Sequence, residues 1–474
     1  MICLTSIRRS AVIAVLIVLL LAGCAKVGPD FTPPEVQTPG NYRFGKVTAE
    51  STQNLKWWEL FNDPVLYELV AAALNHNRDI LIAASRIEEA RAFVGFNRAD
   101  QYPRVDIEGS AGRGNFVGTR SSTTNGNYFI APVLSWEIDF WGKFRRATEA
   151  ARAELLASEY AYRTVQLSLI SEVVSTYYRL LDFHKRLAVS RETLKSREEY
   201  LQIIQKRFKH GIVPELDVNQ AQIQKELAAA SIPLYARQIA KSEDALRILL
   251  GELPHGIETD YGLDAQIPPD IPLDLPSNIL TRRPDIARAM YLLKAQTEAV
   301  GVAEALRFPS FSLTALLGVA SSEVSSVTSD GGIWSVSGGV LGPLIDFKKN
   351  IRRVQIEKEK TRQALYRYEN TVLHAFGEVE DSLAEIQTYR EELAAVTRQR
   401  KAAKNANILS KKRYDRGVSS YLEVLDTERS LFNAELQLSE LKQQYLNAYV
   451  KLYKALGGGW ARAVQAPGAK TEKP

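Results

Sequence analysis

Arg413-Tyr414-Asp415-Arg416-Gly417-Val418, followed at once by Ser419-Ser420-Tyr421-Leu422-Glu423-Val424-Leu425-Asp426, decides how this chain is read. It interrupts a stretch without proline from Leu344 to Ala466. The pattern predicts a long helix, a tight turn at Gly417 and a second helix that restarts immediately. Glycine tolerates the left-handed backbone that ends a helix. Ser420 and Glu423 have the Ser-x-x-Glu spacing of a capping box.

The same pattern occurs earlier, as Arg207-Phe208-Lys209-His210-Gly211-Ile212 and then Leu216-Asp217-Val218, at an offset of 206 residues. Asp79-Ile80 repeats as Asp285-Ile286, Gly95 as Gly301, Tyr102-Pro103 as Phe308-Pro309, and Leu250-Gly251 as Leu456-Gly457. Asp139-Phe140 against Asp346-Phe347 runs at 207, one insertion that is repaired later. The chain therefore reads as a tandem duplication of a hairpin of long helices. Repeat 1 covers 63–252, repeat 2 covers 277–457, a proline-rich linker covers 253–276, and 458–474 forms a short polar tail.

The 474 residues carry 45% hydrophobic and 24% charged side chains, ordinary for a folded protein, with a net charge of +5. No basic patch with interleaved aromatics stands out, so nucleic acid is not an expected partner. The chain opens as a secretory signal, residues 1–23: Arg8-Arg9, then an apolar core from Ala11 to Ala22 too short for an ordinary membrane span. Leu21-Ala22-Gly23-Cys24 follows, and Cys24 becomes the expected start of the mature chain. The only other cysteine, Cys3, lies in the signal, which leaves no intrachain disulfide after cleavage. Residues 24–62 hold Pro29, Pro33, Pro34 and Pro39 and read as an extended surface segment.

Asp63-Pro64 has the residue types of an N-cap and a first helical position, so a helix is expected from there to about Ala99. A β-hairpin follows at 104–141. Its first strand sets Val105, Ile107, Gly109 and Ala111 against Arg104, Asp106, Glu108 and Ser110. Its second sets Tyr128, Ile130, Pro132, Leu134, Trp136, Ile138 and Phe140 against Asn127, Ser135, Glu137 and Asp139. Repeat 2 has its counterpart at 310–347, with Phe311, Leu313, Ala315, Leu317 and Val319, then Trp334, Val336 and Val340. Ten-residue strands with one apolar face suit a transmembrane barrel. A hairpin packed on a soluble core shows the same alternation.

Each hairpin leads into a long helix, 143–209 and 349–415, and then a return helix, 214–250 and 420–456, with Pro233 expected to kink the first. A 67-residue helix is roughly 100 Å long. Val173, Leu180, Leu187, Leu194, Leu201 and Phe208 fall seven apart, the spacing of a coiled-coil seam. Four strands cannot close a barrel, and open edges do not persist in lipid. If the hairpins span a membrane, several chains must share one barrel.

No enzyme chemistry is legible. The five histidines make no His-x-x-x-His pair, and there is no Cys-x-x-Cys, phosphate loop or Gly-x-Ser-x-Gly. No cofactor or metal is expected. A coiled-coil scaffold or periplasmic adaptor is the alternative, although an adaptor requires only one helical hairpin. Membrane strands joined continuously to a helical tube describe a conduit, and such a channel could serve efflux, protein secretion or metal-ion export.

An ordered set of motifs resembles the outer-membrane factors, the TolC-like family, in their lipoprotein branch. These are Cys24-Ala-Lys-Val-Gly-Pro-Asp-Phe-Thr-Pro-Pro, Trp57-Trp58 with Phe61-Asn-Asp-Pro64, and Ser135-Trp-Glu-Ile-Asp-Phe-Trp-Gly142. Ser277-Asn-Ile-Leu-Thr-Arg-Arg-Pro-Asp-Ile286, Arg307-Phe-Pro309 and Arg413-Tyr-x-x-Gly-Val418 complete it. The resemblance implies acylation of Cys24, with Ala25 after it directing the chain to outer-membrane lipid. It further implies a homotrimer with a twelve-stranded barrel and a twelve-helix periplasmic tunnel. A periplasmic adaptor and an inner-membrane pump of the resistance-nodulation-division type are the implied partners, in a tripartite efflux system. Carried onto this chain, the closing tip has Leu422 as an apolar ring, Glu423 and Asp426 as acidic rings, and Asp217 bonded to Tyr414. Gly211 and Gly417 mark the adaptor-contact turns. Some relatives carry a locking arginine where this chain has Ser419.

Overall fold

A computed structural model describes residues 26–45, 63–114, 125–259, 262–268, 273, 276–322 and 331–458. The expectations for the signal peptide, for Cys24, for Trp57, Trp58 and Phe61, and for the tail from 459 lie outside the described residues. The chain divides into two compact units, and each draws on both repeats. The first gathers the described parts of Met1–Glu35, Ser85–Tyr160 and Arg288–Asn370; the second gathers those of Val36–Ala84, Ala161–Ala287 and Thr371–Pro474.

In chain order the elements are α1 (Pro64–His76), α2 (Arg78–Ala99), β1 (Arg104–Gly114), β2 (Asn125–Ile138), α3 (Lys143–Lys209), α4 (Glu215–Leu250), α5 (Ile279–Arg282), α6 (Pro284–Ala305), β3 (Ser310–Ser321), β4 (Gly332–Leu341), α7 (Lys349–Asp415) and α8 (Tyr421–Ala455). The two long helices have 67 residues each, at the expected bounds. Among the described residues, no helix is long and apolar enough to cross a membrane.

The first unit is built on one antiparallel sheet, ordered β1-β2-β3-β4, in which β2 of repeat 1 pairs with β3 of repeat 2. Its register puts like with like. Val105 faces Leu134, Leu134 faces Ala315, and Ala315 faces Val336, one apolar row across all four strands. The neighbouring row is Arg104, Ser135, Thr314 and Ser337. Directly opposed residues share a face, so the sheet is apolar on one side and polar on the other. β1 and β4 are its edges. At the foot of the sheet Trp141 stacks on Phe308, with centroids 4.5 Å apart, and Phe140 meets Phe311 edge-on at 4.9 Å.

The second unit is helical. Leu66, Val70 and Ala73 of α1 pack with Val173, Tyr177 and Leu180 of α3, Leu246 and Leu250 of α4, and Leu446, Val450 and Tyr453 of α8. The seam expected along α3 is buried at Val173, Leu180, Leu187 and Leu201, but Phe208 at its end is exposed. α4 continues through Pro233 without a break in its helical assignment.

Two expectations are corrected here. The helix from Pro64 does not run to Ala99; it stops at Asn77, whose extended backbone separates α1 from α2. The buried Asn77 side chain accepts from the Asp79 and Ile80 amides and donates to the Leu249 carbonyl at 2.9 Å. Capping α2 while binding α4 outweighs one more helical turn. In repeat 2 the counterpart of Asn77 is Arg283, and there the helix again divides, with α5 ending at Arg282. Arg283 donates to the carbonyl of Ala455, the counterpart of Leu249, at 3.0 Å. Two unlike side chains thus perform one task at one offset. The second correction is at Ser420, which begins α8 but forms no side-chain cap. Glu423 is drawn instead to Arg413, 3.1 Å away.

Candidate functional site

The residues expected at the tip lie together in the second unit, where α3 turns into α4 and α7 into α8. The two turns are built alike. Gly211 has φ of +70° and its amide donates to the Phe208 carbonyl, while Ile212 donates to Arg207, both at 2.9 Å. Gly417 has φ of +72° and donates to Tyr414 at 2.9 Å, while Val418 donates to Arg413 at 3.0 Å. These paired bonds close a helix end around a left-handed residue. No atom lies within 4 Å of where a Cβ would stand on either glycine, so backbone geometry alone selects glycine there.

Between the turns lies a buried cluster drawn from all four helices: Tyr200, Leu201, Ile204, Ala221, Tyr414, Tyr421, Val424 and Leu425. Tyr421 is the hinge of its ring stack, 5.7 Å from Tyr200 and 5.4 Å from Tyr414. Cations cover the outer rings, with Arg207 5.1 Å from the Tyr414 centroid and Lys411 5.4 Å from that of Tyr200. Burial raises the pKa of the Tyr200, Tyr414 and Tyr421 hydroxyls above its ordinary value, so all three stay protonated.

Two polar links cross from repeat 1 to repeat 2. The Tyr414 hydroxyl donates to the Asp217 carboxylate at 3.4 Å, and Arg207 donates to Asp415 at 3.1 Å. Burial raises the pKa of Asp217, against the opposing effect of the Tyr414 bond. Asp426 is exposed, and no described residue pairs with it. Leu422 is 62% exposed, at the rim of an otherwise buried cluster.

Sequence reading did not single out Arg207, Asp415 or the stack of Tyr200 and Tyr421. It also passed over Leu216, which is 62% exposed, and Ile212, which is as exposed as Val418 to within a few per cent. The offset of 206 residues carries the signal for the last two, since it maps Leu422 onto Leu216 and Val418 onto Ile212.

The chain is similar to known proteins over nearly its whole length. The family described as outer membrane efflux protein matches residues 69–252 and 275–458, one match in each repeat. The chain is 34% identical over 459 residues to the solvent efflux pump outer membrane protein SrpC of Pseudomonas putida, covering 94% of this chain and 97% of that one. It is 32% identical over 451 residues to the probable outer membrane lipoprotein SilC of Salmonella typhimurium, with the same coverage. Among solved structures it resembles CusC, with a TM-score of 0.83, 30% identity, and coverage of 92% of this chain and 100% of that one. The tandem-duplicated α+β chain described above belongs to the outer membrane efflux protein family and is an outer-membrane channel component of an efflux system.

Proposed function

We propose that three copies of this chain form a passive conduit across the outer membrane, closed by the helical tip. The observation that carries this reading is the sheet register. Four strands present one apolar and one polar face, yet leave β1 and β4 as edges within the chain. Backbone groups on such edges have no partner in lipid, and pairing β4 of one copy with β1 of the next satisfies them in a closed ring of twelve strands. Cys24 carries the lipid, and a periplasmic adaptor and inner-membrane pump supply the energy. The chain itself is a conduit without catalytic residues.

In this reading the tip is the gate. Leu422 forms an apolar constriction, Glu423 and Asp426 place carboxylates around the axis, and the bond from Tyr414 to Asp217 holds the two hairpins of a chain together. Carboxylates about 8 Å apart at an effective dielectric near 20 repel by roughly 2 kcal/mol per pair. Such rings favour cations and make closure dependent on the latching contacts. The turns at Gly211 and Gly417, with their exposed apolar neighbours, are the adaptor contacts. SrpC is named for solvent efflux and CusC for cation efflux, so the cargo of this conduit follows from its pump.

Purified, detergent-solubilised protein tests the proposal. A trimer by mass, conducting in planar bilayers with a cation preference that Asp426→Ala weakens, is the expected result. A monomer without conductance overturns the channel reading; a conducting trimer unaffected by Asp426→Ala removes Asp426 from the gate.

A further inference from the structure

Residues Lys26–Asp30 lie in the first unit as an irregular peptide, bent at Gly28 and held largely by its main chain. The Val27 amide donates to the Trp141 carbonyl at 3.2 Å. Arg146 donates from Nε to the Val27 carbonyl and from Nη2 to the Gly28 carbonyl, both at 3.0 Å. Its Nη1 donates to Glu298 at 2.6 Å, and Nη2 also lies 3.1 Å from Asp30. Lys26 pairs with Glu149 and stands 3.7 Å from Glu298.

Arg146 is 0% exposed and Glu298 is buried. A buried guanidinium is costly unless its donors and its charge are all answered. Here Glu298 answers the charge, and the backbone of a segment that belongs to no helix or strand takes the bonds of Nε and Nη2.

The cradle is shaped for that segment. Gly28 has φ of +94°, and a Cβ on it would meet the Gly301 Cα at 2.4 Å. A Cβ on Gly301 would meet Arg146 Nε at 2.7 Å and the Val27 carbonyl at 3.0 Å. Gly142 has φ of +77°, and a Cβ there would press on Lys26 at 3.2 Å. Three glycines therefore let peptide, helix and strand end approach at backbone distance.

Location gives the cradle its meaning. It sits at the junction of β2 and α3, beside Trp141, which stacks on Phe308, and the amphipathic indole ring settles at the boundary between lipid and water. Lys26 is two residues from Cys24, a reach of about 7 Å in an extended chain. Without the cradle the lipid would hang on the segment as far as Tyr42 and Arg43, where the buried Tyr42 and the bond from the Arg43 amide to Glu380 next hold the chain, and a longer flexible tether lowers the effective concentration of the acyl chain at its place in the membrane.

We propose that this cradle is a docking site for the start of the mature chain, with Arg146 as its positioning residue, and that it holds the acylated end at the membrane boundary of the sheet. The inference rests on acylation of Cys24, as read above.

Trypsin tests it on the full chain. Cleavage after Lys26 releases the acylated Cys24-Ala25-Lys26 and leaves the polypeptide from Val27. A protease needs several residues free in extended form, so a docked segment is cut only when it opens. Protein labelled with palmitate is digested in detergent, and label loss and the N-terminal mass are followed together. The wild type holds its Lys26–Val27 bond, so its label stays on a peptide that continues past Lys26, while exposed sites such as Arg43 are cut. Arg146→Met loses that bond at least about tenfold faster, because the segment's opening equilibrium sets the rate. Gly28→Ala does the same while keeping Arg146 and its charge, which covers the case in which Arg146→Met folds poorly. Asp30→Asn, whose side chain is 85% exposed, stays near wild type. Equal release in the wild type and Gly28→Ala, with unchanged melting temperature, overturns the docking site. Absence of palmitate from the wild type overturns acylation instead, and the N-terminal mass then still reports whether the cradle protects Lys26.

Discussion

On the proposed gating role of the tip, removing its two cross-repeat links should favour release by a calculable amount. Tyr414→Phe deletes only the hydroxyl and keeps the ring in the stack with Tyr200 and Tyr421. The lost bond to Asp217 is long, at 3.4 Å, so it is worth ~0.5–1 kcal/mol. Arg207→Met removes the pair with Asp415, a half-exposed carboxylate, worth ~0.5 kcal/mol after solvent screening. It also uncovers the Tyr414 ring, another ~0.5–1 kcal/mol. The double variant therefore loses about 2 kcal/mol per chain, roughly thirtyfold in the balance between latched and released hairpins. Single-channel recording in planar bilayers measures this. Each single variant should conduct more often than the wild type, and the double variant more than either. The contribution of Arg207 should fade from low salt to molar salt, since surface pairs are screened, while that of Tyr414 persists. A double variant that is trimeric and folded yet conducts like the wild type at low salt refutes the assignment of these links to closure.

Further expectations concern stability and pH. Asp63, buried, accepts from the Val65 and Leu66 amides, from Tyr177 at 2.9 Å and from Gln266 at 2.7 Å, so Asp63→Ala should cost ~2–4 kcal/mol in a urea melt. Gly251→Ala and Gly457→Ala combine a left-handed backbone with a Cβ facing the carbonyls of His76 and Arg282, at 2.4 and 3.2 Å. They should lower the melting temperature clearly more than Gly211→Ala or Gly417→Ala, which carry only the ~1 kcal/mol backbone penalty. For Asp217 burial raises the folded-state pKa, so the folded chain holds that proton more tightly than the unfolded one. The stability this adds is fully present below the ordinary carboxylate pKa of about 3.9 and is lost as pH rises through the raised value. The urea midpoint of the wild type relative to Asp217→Asn should therefore improve on acidification across that window; a flat difference contradicts the partly desolvated setting of Asp217.

Most of the architecture was legible because it rests on local rules applied twice. Glycine at 211 and 417 ends a helix whatever surrounds it, and strict alternation at 104–111 and 311–319 names a strand with two unlike faces. The break at Asn77 was not legible. Nothing in His76-Asn77-Arg78 forbids helix; the decision comes from the Leu249 carbonyl, far along the chain. The capping box at Ser420 failed for a related reason, since Arg413 on the other side of the turn takes up Glu423. At the tip, Tyr414 and Asp217 came from family resemblance, and the structure places them in contact. Arg207 escaped notice because a basic residue near a helix C-terminus already has an ordinary explanation in the helix dipole. Arg146 looked like any surface arginine in Lys143-Phe144-Arg145-Arg146, and only packing reveals which of the two turns inward.

The strand joint between β2 and β3 imposes an order of events on biosynthesis. Ile138 and Phe311 are adjacent in the sheet but about 170 residues apart along the chain. Distant pairings form late, after the entropy of closing the intervening loop has been overcome. During export the first hairpin emerges well before its neighbour exists, with a greasy stripe and two unsatisfied flanks. Until the second half arrives, that ribbon is an aggregation hazard that chaperones in transit must shield, and a stalled or truncated chain would remain in that state permanently.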